Sequence, residues 1–259
     1  MTTIDEKRVY AEKEDSEVVL VATGMGVASV SVSADQIGRF GLAHRCTARD
    51  VAARPGGGAV ATDDGVVVTA DEDEFEEIGF PDAVAVGYGG GLLATDSAGA
   101  LAEYADGEWV ERGTVADARA IDGDLVAAAD GVYRLYADGV EHAGLDDATD
   151  VAAAGPYAAT AEGLFRLGNG WLNEVSRDVT AVVADGDRAH AVVDGALYER
   201  TADGWTERST GTDARLVDVA HGDGAVYAIT ADATLCVNAG DGWRSRSLGL
   251  RDVAGIAVP

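Results

Sequence analysis

A short segment, Asp followed by small apolar residues, returns seven times along this chain and limits the fold more than any other feature. The copies are Asp50-Val-Ala-Ala, Asp82-Ala-Val-Ala, Asp117-Ala-Arg-Ala, Asp150-Val-Ala-Ala, Asp178-Val-Thr-Ala, Asp218-Val-Ala-His and Asp252-Val-Ala-Gly. They lie 28 to 40 residues apart, about 34 on average. Self-similarity at such a period marks a chain built from repeated supersecondary units.

Each copy leads into a second apolar run, a turn and a third strand. The turn is written Ala61-Thr-Asp-Asp-Gly65-Val, Ala128-Ala-Asp-Gly131-Val-Tyr-Arg134, Thr160-Ala-Glu-Gly163-Leu-Phe-Arg166 and Val193-Asp-Gly195-Ala-Leu-Tyr198. An Asp-Gly or Glu-Gly pair between β-rich runs signals a hairpin, because glycine takes positive φ without a steric penalty. A second turn follows at Asp106-Gly-Glu-Trp109, Gly168-Asn-Gly-Trp171, Asp203-Gly-Trp205 and Asp241-Gly-Trp243, before a polar outer strand. Each unit therefore holds four short strands, and no amphipathic helical period interrupts the series. The expected fold is all-β, a seven-bladed propeller of four-stranded blades. An open β-solenoid has shorter coils and no need of two hairpins in each.

The chain ends indicate ring closure. The last segment, Arg251 to Pro259, supplies an inner strand and stops, while the first supplies three strands, near 17–23, 27–33 and 37–42, with no inner strand before them. The C-terminal strand is expected to complete the first blade, which removes two open sheet edges. One domain spans 1–259, with blades near 15–46, 49–81, 82–116, 117–146, 147–177, 178–212 and 213–250 and a closing strand at 251–259. Residues 1–14 form an N-terminal arm, in which Arg8 to Ala11 either adds a strand or lies loose. The acidic run Asp71 to Glu74 is expected to be a solvated hairpin tip.

Apolar residues make up 47% of the 259 and aromatics only 6%, so Ala, Val, Leu and Gly must fill much of the core. The balance of 46 acidic against 19 basic residues gives a net charge of −27, and only Lys7 and Lys13 are lysines. An acidic, lysine-poor surface keeps its carboxylates hydrated in concentrated salt, which screens their repulsion. It disfavours binding to nucleic acid or anionic membrane, which needs clustered cations. The first ten residues show no export signal. Two cysteines, Cys46 and Cys236, make neither a disulfide framework nor a zinc site, so a cytoplasmic location is expected.

The Ala-Asp-Gly-Val-Tyr-Arg turn and its relatives at 129–134 and 161–166 look like repeats of several bacterial and archaeal propeller families. Ala94-Thr-Asp-Ser-Ala-Gly99-Ala-Leu101 is similar, in that blade alone, to quinoprotein-type repeats. Combined with the acidic composition, the whole chain resembles the haloarchaeal β-propeller proteins of unknown function. The resemblance implies the fold; its motifs are structural turns rather than catalytic signatures. The Trp-Asp dipeptide of WD40 blades and the sialidase Asp box are absent.

Two sets of residues are candidates for function. The repeated aspartates Asp50, Asp82, Asp117, Asp150, Asp178, Asp218 and Asp252 fall where inner strands begin. Facing the axis together, they would form a carboxylate ring able to hold a hydrated cation or attract a basic partner; alternatively each accepts backbone N–H bonds in its own turn. The stretch Gln36 to Gly57 is a positive island with Arg39, Arg45, Arg49 and Arg54, together with His44 and Cys46, and ring closure would bring Arg251 near it. Arginine forks suit an anionic ligand or an acidic partner; the alternative is pairing with surrounding carboxylates. The four tryptophans read as packing residues of the outer strands. The histidines His44, His142, His190 and His221 are scattered, without metal-ligand spacing. No catalytic cluster or cofactor fingerprint stands out and none is expected, while the aspartate ring leaves a metal open. The favoured role is a non-catalytic protein-binding scaffold, monomeric when free. A lyase or hydrolase, or a ligand or cation sensor, with its site at the axial channel mouth is the alternative.

Overall fold

Val-rich runs broken by Gly-containing turns pair here as antiparallel hairpins, four strands at a time. The protein is represented by a computed structural model that describes residues 16–71 and 74–259; the N-terminal arm at 1–14 and the tip of the Asp71 to Glu74 run lie outside them. Among the described residues, 28 strands make seven four-stranded sheets. Blade 1 contains β1 (Ser16–Thr23), β2 (Gly26–Ser33) and β3 (Gln36–His44). Blade 2 is β4 (Ala48–Arg54), β5 (Gly57–Thr62), β6 (Val66–Asp71) and β7 (Glu74–Glu77). Blade 3 is β8 (Ala83–Tyr88), β9 (Leu92–Asp96), β10 (Ala100–Ala105) and β11 (Glu108–Thr114). Blade 4 is β12 (Ala118–Asp122), β13 (Leu125–Ala128), β14 (Gly131–Tyr136) and β15 (Gly139–Gly144).

Blade 5 is β16 (Ala148–Ala152), β17 (Tyr157–Thr160), β18 (Gly163–Leu167) and β19 (Trp171–Val175). Blade 6 is β20 (Val179–Asp185), β21 (Arg188–Val193), β22 (Ala196–Thr201) and β23 (Gly204–Arg208). Blade 7 is β24 (Leu216–His221), β25 (Val226–Thr230), β26 (Thr234–Asn238) and β27 (Trp243–Ser247). The last strand, β28 (Val253–Ala257), pairs with β1 through Leu20–Ala257, Val21–Ile256 and Ala22–Gly255. The expected closure is therefore the observed one: the end of the chain supplies the inner strand of blade 1.

Each inner strand runs in the same sense along the axis, beginning on what we call the start face and ending on the far face. Small residues let these strands converge. A Cβ at Gly87 would come within 2.2 Å of the Ile121 carbonyl of the next blade. Between blades the cores are apolar: Tyr227, Ile229 and Leu235 of blade 7 pack with Val19, Val21 and Val30 of blade 1.

The turn glycine has a second duty beyond the turn itself. A Cβ on Gly26, Gly65, Gly131 or Gly163 would stand 2.1–2.7 Å from the carbonyl oxygen of His44, Gly79, Leu145 or Val175, where the outer strand leaves its blade. Only hydrogen fits there. A buried Thr one turn earlier locks the loop, with Thr23, Thr62 and Thr160 donating Oγ1–H to the carbonyls of Gly26, Gly65 and Gly163 at 2.7–3.1 Å. In blade 3, whose turn reads Asp96-Ser-Ala-Gly99, Asp96 Oδ1 instead accepts from Ala98 N and Ala100 N. The buried Thr95 Oγ1 of that blade has no partner.

The tryptophans join neighbouring outer strands as well as packing. Trp109 Nε1 donates to the Ile78 carbonyl, Trp171 to Ala143 and Trp205 to Glu174 Oε2, at 2.7–2.9 Å, each bond crossing from one blade to the preceding one.

Closure carries much of the stability, because without β28 the β1 edge and the buried Val21 lie open. Removing residues 251–259 is expected to cost on the order of 5 kcal/mol or more and to promote edge-to-edge aggregation. Thermal unfolding followed by circular dichroism, with light scattering, checks this. A truncated chain as stable and monodisperse as the full one would contradict it.

Candidate functional site

Among the described residues, all seven blades contribute to the lining of the axial channel. It encloses a cavity of about 330 Å³ lined by inner-strand residues, among them Asp50, Tyr88, Asp122, Asp150, Asp218 and His221. The seven repeated aspartates do not meet there as one ring. Asp50, Asp150 and Asp218 line it, while Asp82, Asp117, Asp178 and Asp252 do not.

Two registers of the blade explain the split. Asp82, Asp117, Asp178 and Asp252 stand just before the inner strand, where their carbonyls accept an amide of the neighbouring hairpin turn, from Ser97, Ala129, Asp194 and Gly24. Thr47 and Arg215 occupy the same place in blades 2 and 7 and accept from Asp63 and Ala231. Asp50, Asp150 and Asp218 stand three residues further on, inside the strand, opposite Ala61, Ala159 and Ile229. The sequence motif merged these two positions because both are Asp followed by small apolar residues. Three of the first group take the left-handed backbone that Asp tolerates, with φ of 57° at Asp82, 49° at Asp117 and 54° at Asp252.

The three channel aspartates bind backbone on both sides. Oδ1 of Asp50, Asp150 and Asp218 accepts the amide of the next residue, Val51, Val151 or Val219, at 2.7–2.8 Å. Oδ2 accepts the equivalent amide of the following blade, from Val86, Val182 or Ile256, at 2.7–2.9 Å. Each carboxyl thus bridges the same amide position in two successive inner strands. Gly255 makes room, since a Cβ there would stand 3.0 Å from Asp218 Oδ2.

Burial inside the channel outweighs these bonds. It pushes the Asp50 carboxyl up to about 6 and that of Asp218 to about 7, and it holds Asp150 well above the usual carboxylate range, with the Asp218 charge adding to the effect. Asp122, which accepts from the Ala153 amide of the next blade at 2.7 Å, is raised by burial as well. Among the described residues, no group of three or more His, Cys, Asp or Glu side chains is arranged to hold a metal ion.

At the far end of the channel the fold brings together two histidines that the sequence leaves 31 positions apart. His190 Nδ1 and His221 Nε2 lie 2.8 Å from each other with the rings edge-on, and His221 Nδ1 is buried without a partner. Burial is the first cause that lowers His190 to about 4 and His221 to about 3, with the Arg188 charge contributing to both, so the pair is neutral at pH 7. Nothing in linear spacing signals this contact, because one partner sits on the second strand of blade 6 and the other on the inner strand of blade 7.

The arginine island is divided by the strands that carry it. Arg45, Arg49 and Arg251 stand on the start face, Arg54 at the far end of β4, and Arg39 on the outer strand β3. Arg49 donates to the Ala83 carbonyl at 3.1 Å and faces Asp82 at 3.6 Å. Arg119 repeats that link toward Ala148 and Asp147. Arg54 lies over the Tyr88 ring, 4.9 Å from its centroid. Arg49 therefore follows the pairing alternative, while Arg54 rests on an aromatic ring rather than on a carboxylate. His44 packs on Phe75, and Cys46 is pushed up to about 11 by burial and by Asp63 and Asp64, which leaves a protonated thiol rather than a nucleophile.

The channel carboxyls make stability depend on pH in a defined sense. With the Asp218 folded-state value near 7 and the unfolded value near 4, the folded protein holds a proton that the unfolded chain has lost, so stability falls as pH rises through that window. Asp218→Asn removes the titration. In denaturant unfolding at constant salt, the stability difference between the two proteins is expected to move toward the variant by on the order of 2 kcal/mol from pH 5 to pH 8. A difference that is flat in pH would place the proton elsewhere.

Comparison with known proteins supports the same architecture. Three solved structures share the fold: the WD40 β-propeller domain of Doa1 (TM-score 0.64, 12% identity, covering 82% of this chain and 86% of that one), the computationally designed Ika8 protein (0.61, 15%, 93% and 90%), and YCF48 bound to D1 peptide (0.57, 16%, 77% and 82%). No curated protein matches the sequence. The family model described as Beta-prop_HVO_0234:-like, beta propeller matches residues 3–259. With seven closed blades and that match over nearly its whole length, this chain belongs to the HVO_0234-like β-propeller family.

Proposed function

We propose that this propeller is a non-catalytic protein-binding scaffold of a salt-adapted cytosol. One observation carries the reading: the buried aspartates of the channel are engaged in joining blades, whereas charge and apolar area without partners lie on the outside. The three channel aspartates each serve two backbone amides. On the surface, Met25, Val110 and Leu172 are 49–63% exposed in a chain with few large apolar residues. A fold neighbour, YCF48, is known bound to D1 peptide, which is consistent with a peptide- or protein-binding role for this fold. In this role the propeller is a monomer until its partner binds. Cross-linking in extract kept at high salt is expected to trap a stoichiometric protein complex. Recovery of the bare monomer alone would count against the scaffold.

A second reading, catalysis at the far mouth of the channel, draws on the His190–His221 pair, whose neutral imidazoles border both the channel and a groove between blades 6 and 7.

The net charge of −27 supports the salt-adapted setting. At about 1 M salt the screening length is roughly 3 Å, so repulsion between surface carboxylates nearly vanishes. The unfolding midpoint is expected to rise steeply with KCl into the molar range. A midpoint independent of KCl above about 0.2 M would remove that part of the proposal.

A further inference from the structure

The outer tryptophans of blades 3, 5 and 6 each give their indole N–H to the preceding blade. Trp243, their counterpart in blade 7, makes no such bond among the described residues. Its ring instead forms one wall of a groove of about 490 Å³ between blades 6 and 7, to which Leu197 and Val226 add apolar surface. Small-molecule sites typically span about 300–1,000 Å³ and set a few polar groups among apolar walls.

The polar groups of this groove are mostly donors. His190 and Glu199 pair directly across β21 and β22, so their side chains stand on one face of the blade. Arg208 Nε donates to Glu199 Oε2 at 2.6 Å, which neutralises the one carboxylate lining the groove. Arg188 has no carboxylate; it donates to the Gly222 and Ala225 carbonyls and keeps its positive charge uncompensated. Asn238 Oδ1 accepts from the Gly240 amide, so its own N–H groups stay free. His190 turns Nδ1 to His221 and keeps Nε2 for the groove. Two guanidiniums against one carboxylate leave one net positive charge, and the same three groups are the charges that act on His190. Asp185, Asp187, Asp223 and Asp241, on the neighbouring turns, are exposed and do not line the groove, so salt screens them. Glu17 is engaged by the Asp223 amide and the Tyr227 hydroxyl.

We propose that this groove binds a small organic monocarboxylate, its carboxylate on Arg188 and His190 Nε2–H and its apolar body against Trp243, Leu197 and Val226. The inference goes beyond the scaffold reading and does not rest on it. It shares the His190–His221 pair with the catalytic reading but asserts no reaction. A guanidinium and a ring N–H suit a carboxylate, and one uncompensated charge suits a monoanion. The bound anion selects the tautomer in which His221 Nε2–H donates to His190 Nδ1. His221 Nδ1, buried without a partner, then carries a lone pair rather than an N–H that lacks an acceptor. Phosphate is the poorer occupant, because its second charge has no free cation to meet. A metal cation is poorer still, because both arginines repel it.

The test is isothermal titration calorimetry with intrinsic tryptophan fluorescence, at neutral pH in the lowest KCl at which circular dichroism stays native. The probes are phenylacetate, its neutral analogue phenylacetamide, and inorganic phosphate. The full chain is expected to bind phenylacetate in the millimolar range or tighter, and about tenfold or more tightly than either other probe. Arg188→Gln is expected to lose about tenfold or more for phenylacetate, and Arg188→Lys to lose less. Phenylacetate is expected to change the fluorescence of the parent but not of Trp243→Phe, which keeps an apolar wall and most of the calorimetric binding. That readout holds even where Arg188→Gln fails to fold. No binding by the parent at tens of millimolar, equal binding of phenylacetamide, tighter binding of phosphate, unchanged affinity in a folded Arg188→Gln, or an undiminished fluorescence response in Trp243→Phe would each overturn the site. Phenylacetate binding without any cross-linked partner would leave the groove standing while removing the scaffold. A cross-linked partner without phenylacetate binding would do the reverse.

Discussion

Backbone amides near the axis of a propeller must find acceptors in a place where strands converge but do not pair. Burying such a donor without an acceptor costs about 1–3 kcal/mol. Here three blades supply the acceptor from a side chain of the preceding blade, with Asp50, Asp150 and Asp218 each spanning two equivalent amides. Thr149 works in the other direction, donating to the Val179 carbonyl at 2.9 Å. Inter-blade geometry is thereby fixed at the axis by hydrogen bonds and further out by Trp109, Trp171 and Trp205. Between these layers lies a core of alanine, valine and leucine that has little directional content of its own.

The same choice sets the electrostatics of the interior. Carboxyls drawn into the channel keep protons at pH values where surface acids have lost theirs, whereas His190 and His221, lowered by burial and by the Arg188 charge, refuse them. The two effects have opposite pH signs. Raising pH from 4 toward 7 withdraws stability through the aspartates; lowering it from about 6.5 toward 3–4 withdraws stability through the histidines. Between about pH 4 and 6.5 the two contributions therefore oppose each other, independently of how salt treats the exposed carboxylates.

Acidity at the surface explains why arginine pairing is so widespread. With carboxylates in excess, an arginine at almost any blade boundary finds one, as the repeated Arg49–Asp82 and Arg119–Asp147 links show. Such exposed pairs contribute little each.

Much of this was legible in the amino-acid sequence. Alternating apolar runs, Asp-Gly turns and a final unpaired inner strand determined seven four-stranded blades and their closure, because strand period and turn chemistry are local properties. The tryptophans were legible as outer-strand packing for the same reason. Tertiary structure alone decided which aspartates enter the channel, since a shift of three residues separates Asp50, Asp150 and Asp218 from Asp82, Asp117, Asp178 and Asp252 within one motif. It also decided that the positive stretch from Arg39 to Arg54 splits between faces, and that His190 meets His221. Those outcomes depend on contacts between blades some thirty residues apart, whose register is set by how hairpin lengths accumulate around a closed ring, and no local pattern records that sum.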